Sequence, residues 1–333
     1  LVAMMIIIGF LEERKFFEVL LERILAVVSH RVHLLFPVMM GLAFLSAALV
    51  DEVTSILFMT ALTLQLVRKL KLSPFPFIIM IVFATNVGSS ATVVGNPVGV
   101  LIALRAGLSF SDFLQWATPI ALAGLVVTIG ICYLYFMRPL KELTQGLKKL
   151  HEEAIEVEAY NQKEFRRGGL IFGLTILGLV FHHQMEGLLN LPKNTLLLGT
   201  PFLMAGVALL LSREKARELV ERRVDWWTLM FFLLLFASVG TLHHVGVTDR
   251  IGQGLIQIAG SNPALLLGLI VCVAALLTAF LDNVLAVAIF VPVVAGLASS
   301  GVEIGGLWWG LLFAGTFGGN ATMIGSTANI VAI

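Results

Sequence analysis

The chain has 333 residues, of which 58% are hydrophobic and 13% charged; an ordinary soluble domain carries about a quarter charged residues. That balance excludes a water-soluble globular domain. The formal net charge is +1 and the basic residues sit in loops, so no nucleic-acid-binding face is expected.

Apolar runs of roughly 17 to 25 residues recur, each long enough to cross a hydrocarbon core of about 30 Å. The chain is therefore expected to be an all-α, multi-pass membrane protein with the lipid bilayer as its main partner. Leu1–Phe10 reads as the end of a span, and Ile333 falls inside an apolar run, so the sequence is expected to belong to a longer protein. Glu12–Arg23 carries seven charges among Phe and Leu, the pattern of an amphipathic helix at the membrane surface. His30, Arg31 and His33 follow. Leu34–Val50 and Val53–Val67 are apolar arms around Asp51-Glu52, and Arg68, Lys69 and Lys71 close the unit. Arms of 15 to 17 residues are short for full spans, which favours a re-entrant hairpin over 34–67. Phe75–Leu104 is a long apolar segment interrupted by polar residues. Trp116–Met137 reads as an ordinary span.

Arg138–Arg167 holds seven basic and six acidic residues and is expected to be a solvated, partly helical cytoplasmic loop. Gly169–Gln184 and Thr195–Leu211 read as spans joined through Pro192. Ser212–Asp225 reads as a second polar loop with five Arg or Lys. Trp226–Leu242 is a span, and Gly246–Ala259 is weakly amphipathic. Ala264–Leu281 and Val284–Leu297 flank Asp282-Asn283 as a second hairpin over 264–297, and Gly305–Ile333 is a second interrupted segment. Cys132 and Cys272 lie in apolar spans and are expected to be small buried residues, with no disulfide framework or metal motif. His182-His183, His243-His244 and Glu186 are expected at an interface, and Trp226-Trp227 and Trp308-Trp309 as interface anchors.

The lysines and arginines set the orientation. Loops 138–167 and 212–225 are basic and lie two spans apart, so both are expected in the cytoplasm, with Lys193 outside. Propagated through the chain, this puts the first hairpin's open end inside and the second's outside.

The halves repeat. FATNVGSSATVVG (83–95) and FAGTFGGNATMIG (313–325) share six of thirteen residues at an offset of 230. Gly9–Val53 and Gly240–Val284 share nine of 45 at an offset of 231, with ALVDEV over AFLDNV. Matched Leu and Ala carry little weight in greasy sequence; the paired Asp and the Gly/Ala-Thr/Gly frame carry more. Opposed orientation makes the repeats inverted, 1–137 and 169–333, a construction of secondary transporters with broken helices at the midplane. An unwound segment facing lipid would leave backbone groups unsatisfied, so these breaks must be buried or line a wet cavity. Gly88, Gly95, Gly318, Gly319 and Gly325 permit breaks and close approach, and Pro97 suits the first turn of a restarting helix.

Intramembrane carboxylates cost about 3 kcal/mol on insertion scales and mark function. Asp51 and Asp282 are candidate sodium ligands or proton carriers. Glu52 has Asn283 as its counterpart and is either a ligand or a solvated neighbour. Asn86, Ser89, Ser90, Thr92, Asn96, Asn320, Thr322, Ser326, Thr327 and Asn329 supply neutral oxygens suited to a hard cation, and half-helix N-termini suit an anion.

LVDEVTSILFMTAL, FLDNVLAVAIFVPV, NVGSSATVVGNPVGVLI and FGGNATMIGSTANIV together resemble the ion transporter superfamily. The match is to its arsenite permease and sodium–proton antiporter branch, P protein-like, with a citrate-transporter-like domain. GFLEERKFFEVLLERI and DWWTLMFFLLLFASVGTLHHVGV are similar to that branch as well. The resemblance implies two opposed re-entrant hairpins, two broken helices and a homodimer. Glu52 departs from the usual Asp-Asn of the first tip, and Asn96-Pro97 stands where Asp-Pro is common. The expected function is sodium–proton antiport by alternating access in a prokaryotic plasma membrane, with sodium or a proton as coupling ion and no other cofactor. Asp51 and Asp282 would exchange protons for the cation. An arsenite, oxyanion or small-carboxylate permease is the alternative, and an intramembrane hydrolase using Ser89 or Ser90 a remote one.

Overall fold

The computed structural model describes residues 2–17, 19, 34–150, 161–192, 195–260, 262–299 and 302–332. Among these the regular structure is helical throughout: α1 (Val2–Glu12), α2 (Leu35–Leu49), α3 (Glu52–Lys69), α4 (Phe75–Ser89), α5 (Pro97–Ala106), α6 (Phe110–Tyr135), α7 (Met137–Leu150), α8 (Gln162–Leu189), α9 (Thr195–Arg223), α10 (Trp226–His244), α11 (Val247–Ala259), α12 (Pro263–Phe280), α13 (Asn283–Ser299), α14 (Gly305–Gly318) and α15 (Thr327–Ala332). Helices over 110–135, 162–182, 195–223 and 263–280 are each long and apolar enough to cross a membrane; α10 and α11 add a fifth crossing if their 65° bend lies within one span. The protein is an all-α, multi-pass integral membrane protein.

Local chemistry sets the helix boundaries. At Asp51 the backbone is extended and the carboxylate accepts the first free N–H groups of α3, so α2 and α3 are separate helices around a tight tip. Asn96 caps α5 through Gly99 N at 2.7 Å, with Pro97 in the first turn and Gly107 closing the other end at φ 66°. Ser109 and Asp112 form a reciprocal capping box that starts α6.

The two repeats pack in the same way. Within each, the first hairpin arm lies along the first half of the broken helix, α2 on α4 and α12 on α14. Between them, α3 packs on α15 and α13 on α5, an exchange of equivalent partners, which is the signature of an approximate two-fold relation. The glycines make the intra-repeat packing possible. A Cβ on Gly88 would sit 2.6 Å from Phe44 Cα, and one on Gly318 3.0 Å from Ala275 Cα. Phe44 and Ala275 are equivalent at offset 231, so the same close crossing occurs twice.

Several expectations are corrected. Residues 212–225 are mostly helical and continue α9, with Leu219 and Val224 buried against α1. The 138–167 segment is partly helical and solvated as expected: Arg138, Lys141 and Glu142 are exposed on α7, which buries Leu140 and Leu143 beneath α2–α4, and α8 begins at Gln162. Residues 151–160 lie outside the described residues. Trp308 is buried, and Trp309 packs edge-on against Phe113 at 5.0 Å, because α14 is an interior helix; Trp226 and Trp227 are exposed as anchors require. Cys132 is buried but Cys272 is exposed on the outer face of α12. His182 is fully buried with Nδ1 2.8 Å from Leu179 O, and buried Glu186 accepts Leu196 N at 2.7 Å, tying α8 to the start of α9; His244 is exposed. The side chains of His183 and His243, and residues 18, 20–33 and Lys193, lie outside the described residues, and with them residues 18 and 20–23 of the amphipathic helix expected over 12–23. Its first part is anchored by Phe16, which stacks on Phe165 at 5.0 Å, and by an Arg14–Glu164 ion pair at 2.9 Å.

Gly88→Ala is expected to lower the thermal unfolding midpoint in detergent, at a cost of about 1–3 kcal/mol from overpacking. Gly41→Ala, whose new methyl meets nothing within 4 Å, is expected to be neutral or stabilising by up to about 1 kcal/mol. Equal midpoints for the two variants, followed by tryptophan fluorescence, would remove the close-crossing argument.

Candidate functional site

The two hairpin tips and the two helix breaks converge. At each break the chain leaves helical geometry and returns, over 90–96 and 319–326. A threonine in each break closes the adjacent hairpin arm: Thr92 Oγ1 donates to Ala48 O, and Thr322 Oγ1 to Ala279 O. Ala48 and Ala279 sit in the last turns of α2 and α12, where carbonyls have no intrahelical partner. The two glycines that follow fit against the same arms, since a Cβ on Gly95 would lie 3.0 Å from Ala47 O and one on Gly325 3.0 Å from Thr278 O. Tip and break are thus locked together in both halves.

The aspartates are caps. Asp51 Oδ1 accepts Val53 N at 2.8 Å and Thr54 N at 3.4 Å; Asp282 Oδ1 accepts Val284 N at 3.0 Å, while its Oδ2 accepts Thr327 Oγ1 at 2.8 Å. Both carboxylates are half-buried. Next to them the tips meet. Asn283 Nδ2 donates to Glu52 Oε1 at 3.3 Å, with both side chains buried to within 2% of full enclosure, and the Ser89 hydroxyl lies beside the Glu52 carboxylate. The reading of Glu52 as a solvated neighbour is overturned: the α3 and α13 helix starts bring it inward.

A second polar cluster crosses the repeats. Asn86 Nδ2 donates to Asn320 Oδ1 and Asn329 Oδ1, both at 2.7 Å, and Asn329 Nδ2 donates onward to Gly319 O at 2.7 Å and Thr322 O at 2.8 Å. The remaining predicted residues are tied to the backbone and to one another by hydrogen bonds. Ser89 and Ser90 donate to Asn86 O and Val87 O one turn back, Asn96 Nδ2 donates to Ser89 Oγ at 2.9 Å, and Ser326 Oγ accepts Ala328 N at 3.2 Å. Gly319 opens a single tight turn after α14.

Among the described residues, six buried side-chain oxygens of the hairpins and broken helices have no hydrogen-bond partner: Glu52 Oε2, Asn283 Oδ1, Asn86 Oδ1, Ser55 Oγ, Thr60 Oγ1 and Thr85 Oγ1. Ser55 and Thr85 lie just outside the Asp51-Glu52 pair and the Asn86–Asn96 run, so a reading based on polar clusters misses them. Ser55 lies three residues after Glu52, on the same helix face, and that spacing is the signal that finds it. Among the described residues no group of three or more His, Cys, Asp or Glu forms a metal site. The available donors are oxygens, which suit a hard monovalent cation better than a transition metal.

The citrate transporter family profile matches residues 1–255 and 233–333. The chain belongs to the citrate transporter family. This family lies within the ion transporter superfamily, and several of the relatives are named transporters. The chain is 33% identical over 294 residues to an uncharacterized transporter of Mycobacterium tuberculosis, covering 86% of this chain and 65% of that protein. It is 31% identical over 346 residues to a 46 kDa membrane protein of Mycobacterium leprae, covering 99% and 76%. It is 26% identical over 407 residues to the human P protein, covering 99% of this chain and 48% of that one. The chain thus spans about two thirds to three quarters of these mycobacterial relatives and about half of the P protein.

Thr92→Val and Thr322→Val each strand a helix-terminal carbonyl. Each is expected to cost about 1–3 kcal/mol, the two losses being equal and adding in the double variant, since they occupy equivalent places in separate repeats. Thermal unfolding of the two single variants and the double checks this; a neutral Thr322→Val would show that the second break is not held by its threonine.

Proposed function

We propose that this protein is a secondary active transporter of a prokaryotic plasma membrane, exchanging sodium for protons by alternating access. Its two inverted repeats, each a re-entrant hairpin and a broken helix, would meet at the bilayer midplane, and the working assembly would be a homodimer. One observation carries the reading: at the contact between the tips, Glu52 Oε2 and Asn283 Oδ1 are buried acceptors with no donor. An uncompensated buried carboxylate is costly. A proton or a cation removes that cost, and an exchanger needs a site where either one suffices.

The sign of the site supports a cation. Glu52 has Asp51 and Asp282 as its charged neighbours. Among the described residues no lysine, arginine or histidine is ion-paired with any of the three. An anion entering this cluster would meet negative charge alone. Exchange is assigned to Glu52 rather than to the aspartates, because each aspartate already spends Oδ1 on the start of a helix. The aspartates supply negative potential, and the neutral oxygens of Ser89, Asn283 and Ser55 stand ready to complete a cation's shell.

The purified protein in proteoliposomes, tested against sodium, lithium, potassium, arsenite and citrate at several pH values, decides between cation exchange and the permease alternative. Sodium-driven proton movement is expected, with Glu52→Gln losing at least about a hundredfold in rate, the scale of about 2.8 kcal/mol. Asp282→Asn keeps the capping oxygen and removes the charge; it is expected to raise half-saturating sodium about tenfold. Uptake of arsenite or citrate without sodium–proton exchange would overturn the reading.

A further inference from the structure

Glu52 and Asn283 occupy the same position of the two repeats, 231 residues apart, and they touch each other. Two equivalent positions in mutual contact lie on the axis that relates the repeats. There a carboxylate supplied by one copy and a carboxylate supplied by the other would occupy nearly the same place. The surroundings follow the same relation: the threonine latches and the glycine contacts are paired across the halves. The pair also carries the unpartnered buried oxygens Glu52 Oε2 and Asn283 Oδ1.

Resting on the antiport reading above, we infer that Glu52 and Asn283 form a single-charge site on the pseudo-two-fold axis, whose one carboxylate serves equally from either repeat and which exchanges one proton for one monovalent cation per cycle. The step balances. Protonated Glu52 releases H⁺ to the side on which the site is open, and the carboxylate takes up Na⁺; on the other side Na⁺ leaves and H⁺ returns. Asp51 and Asp282 are the other charged groups facing Glu52, and they are held by Val53, Thr54, Val284 and Thr327. Each half-cycle therefore carries the same charge on the site, and the full cycle moves no net charge.

The test moves the carboxylate across the axis. Sodium-driven proton flux is compared in the wild type, in Glu52→Gln and in the double variant Glu52→Asn with Asn283→Glu. The double variant is expected to recover to within about tenfold of wild type, whereas Glu52→Gln stays at least about a hundredfold down. Separately, the sodium–proton balance point of the wild type is measured at potentials set by potassium and valinomycin. A cycle moving one net charge would shift that balance about fiftyfold per about 100 mV; no shift is expected. An inert double variant that remains monodisperse, or a balance point that follows the potential, would overturn the single-charge site in an active wild type. If the double variant does not fold, the potential measurement decides alone. A wild type without sodium–proton exchange would instead remove the antiport reading itself.

Discussion

The architecture depends on what happens to backbone polar groups where a helix stops at membrane depth. Water is absent there, so every carbonyl or N–H released by a helix end needs a partner within the protein. This fold stops helices at two tips and two breaks and supplies the partners twice over. Asp51 and Asp282 take the N–H groups that open α3 and α13. Thr92 and Thr322 give their hydroxyls to the carbonyls that close α2 and α12. Because each threonine sits in a break and each carbonyl in a hairpin arm, satisfying the backbone also fixes the break against the tip. Local hydrogen-bond accounting thus becomes tertiary structure.

Packing follows from the same arrangement. Apolar contact gains little from leaving lipid, so close approach and polar contacts must hold helices together. Gly88 and Gly318 let backbone meet backbone at the two equivalent crossings. The Asn86–Asn320–Asn329 network then joins the halves. Large apolar side chains such as Leu134 at 72% and Leu210 at 78% exposure remain on the outside, where lipid serves as well as protein.

Much of this could be read from residue order. The duplicated phrase, the Asp at each tip and the glycines gave the paired tips and breaks at nearly the observed boundaries, since each rests on local chemistry: capping, φ/ψ freedom, or the absence of a donor on Pro97. What failed to show depends on which face of a helix turns inward. Trp308 looked like an anchor and is buried; Cys272 looked buried and is exposed; the basic run at 212–225 looked like a loop and is largely helical, because Leu219 and Val224 pack beneath its arginines. Uniformly apolar helices have little periodicity to reveal a face. Glu52 was ambiguous for the same reason. Its partner Asn283 lies 231 residues away, and only folding brings the two tips together.

The departures from symmetry are as informative as the symmetry. Thr327 gives Asp282 a hydroxyl, while Pro97, at the equivalent place, has none to give Asp51. The sharpest departure falls where the repeats meet. Two glutamates on the axis would face each other as like charges in a medium that screens poorly. Two asparagines would leave no exchangeable charge. One of each gives the contact a donor, an acceptor and a single carboxylate, and it does so only because the copies have diverged at that position. Duplication supplies a scaffold that can close around one ion from two sides; divergence at one residue supplies the charge that makes the ion exchangeable.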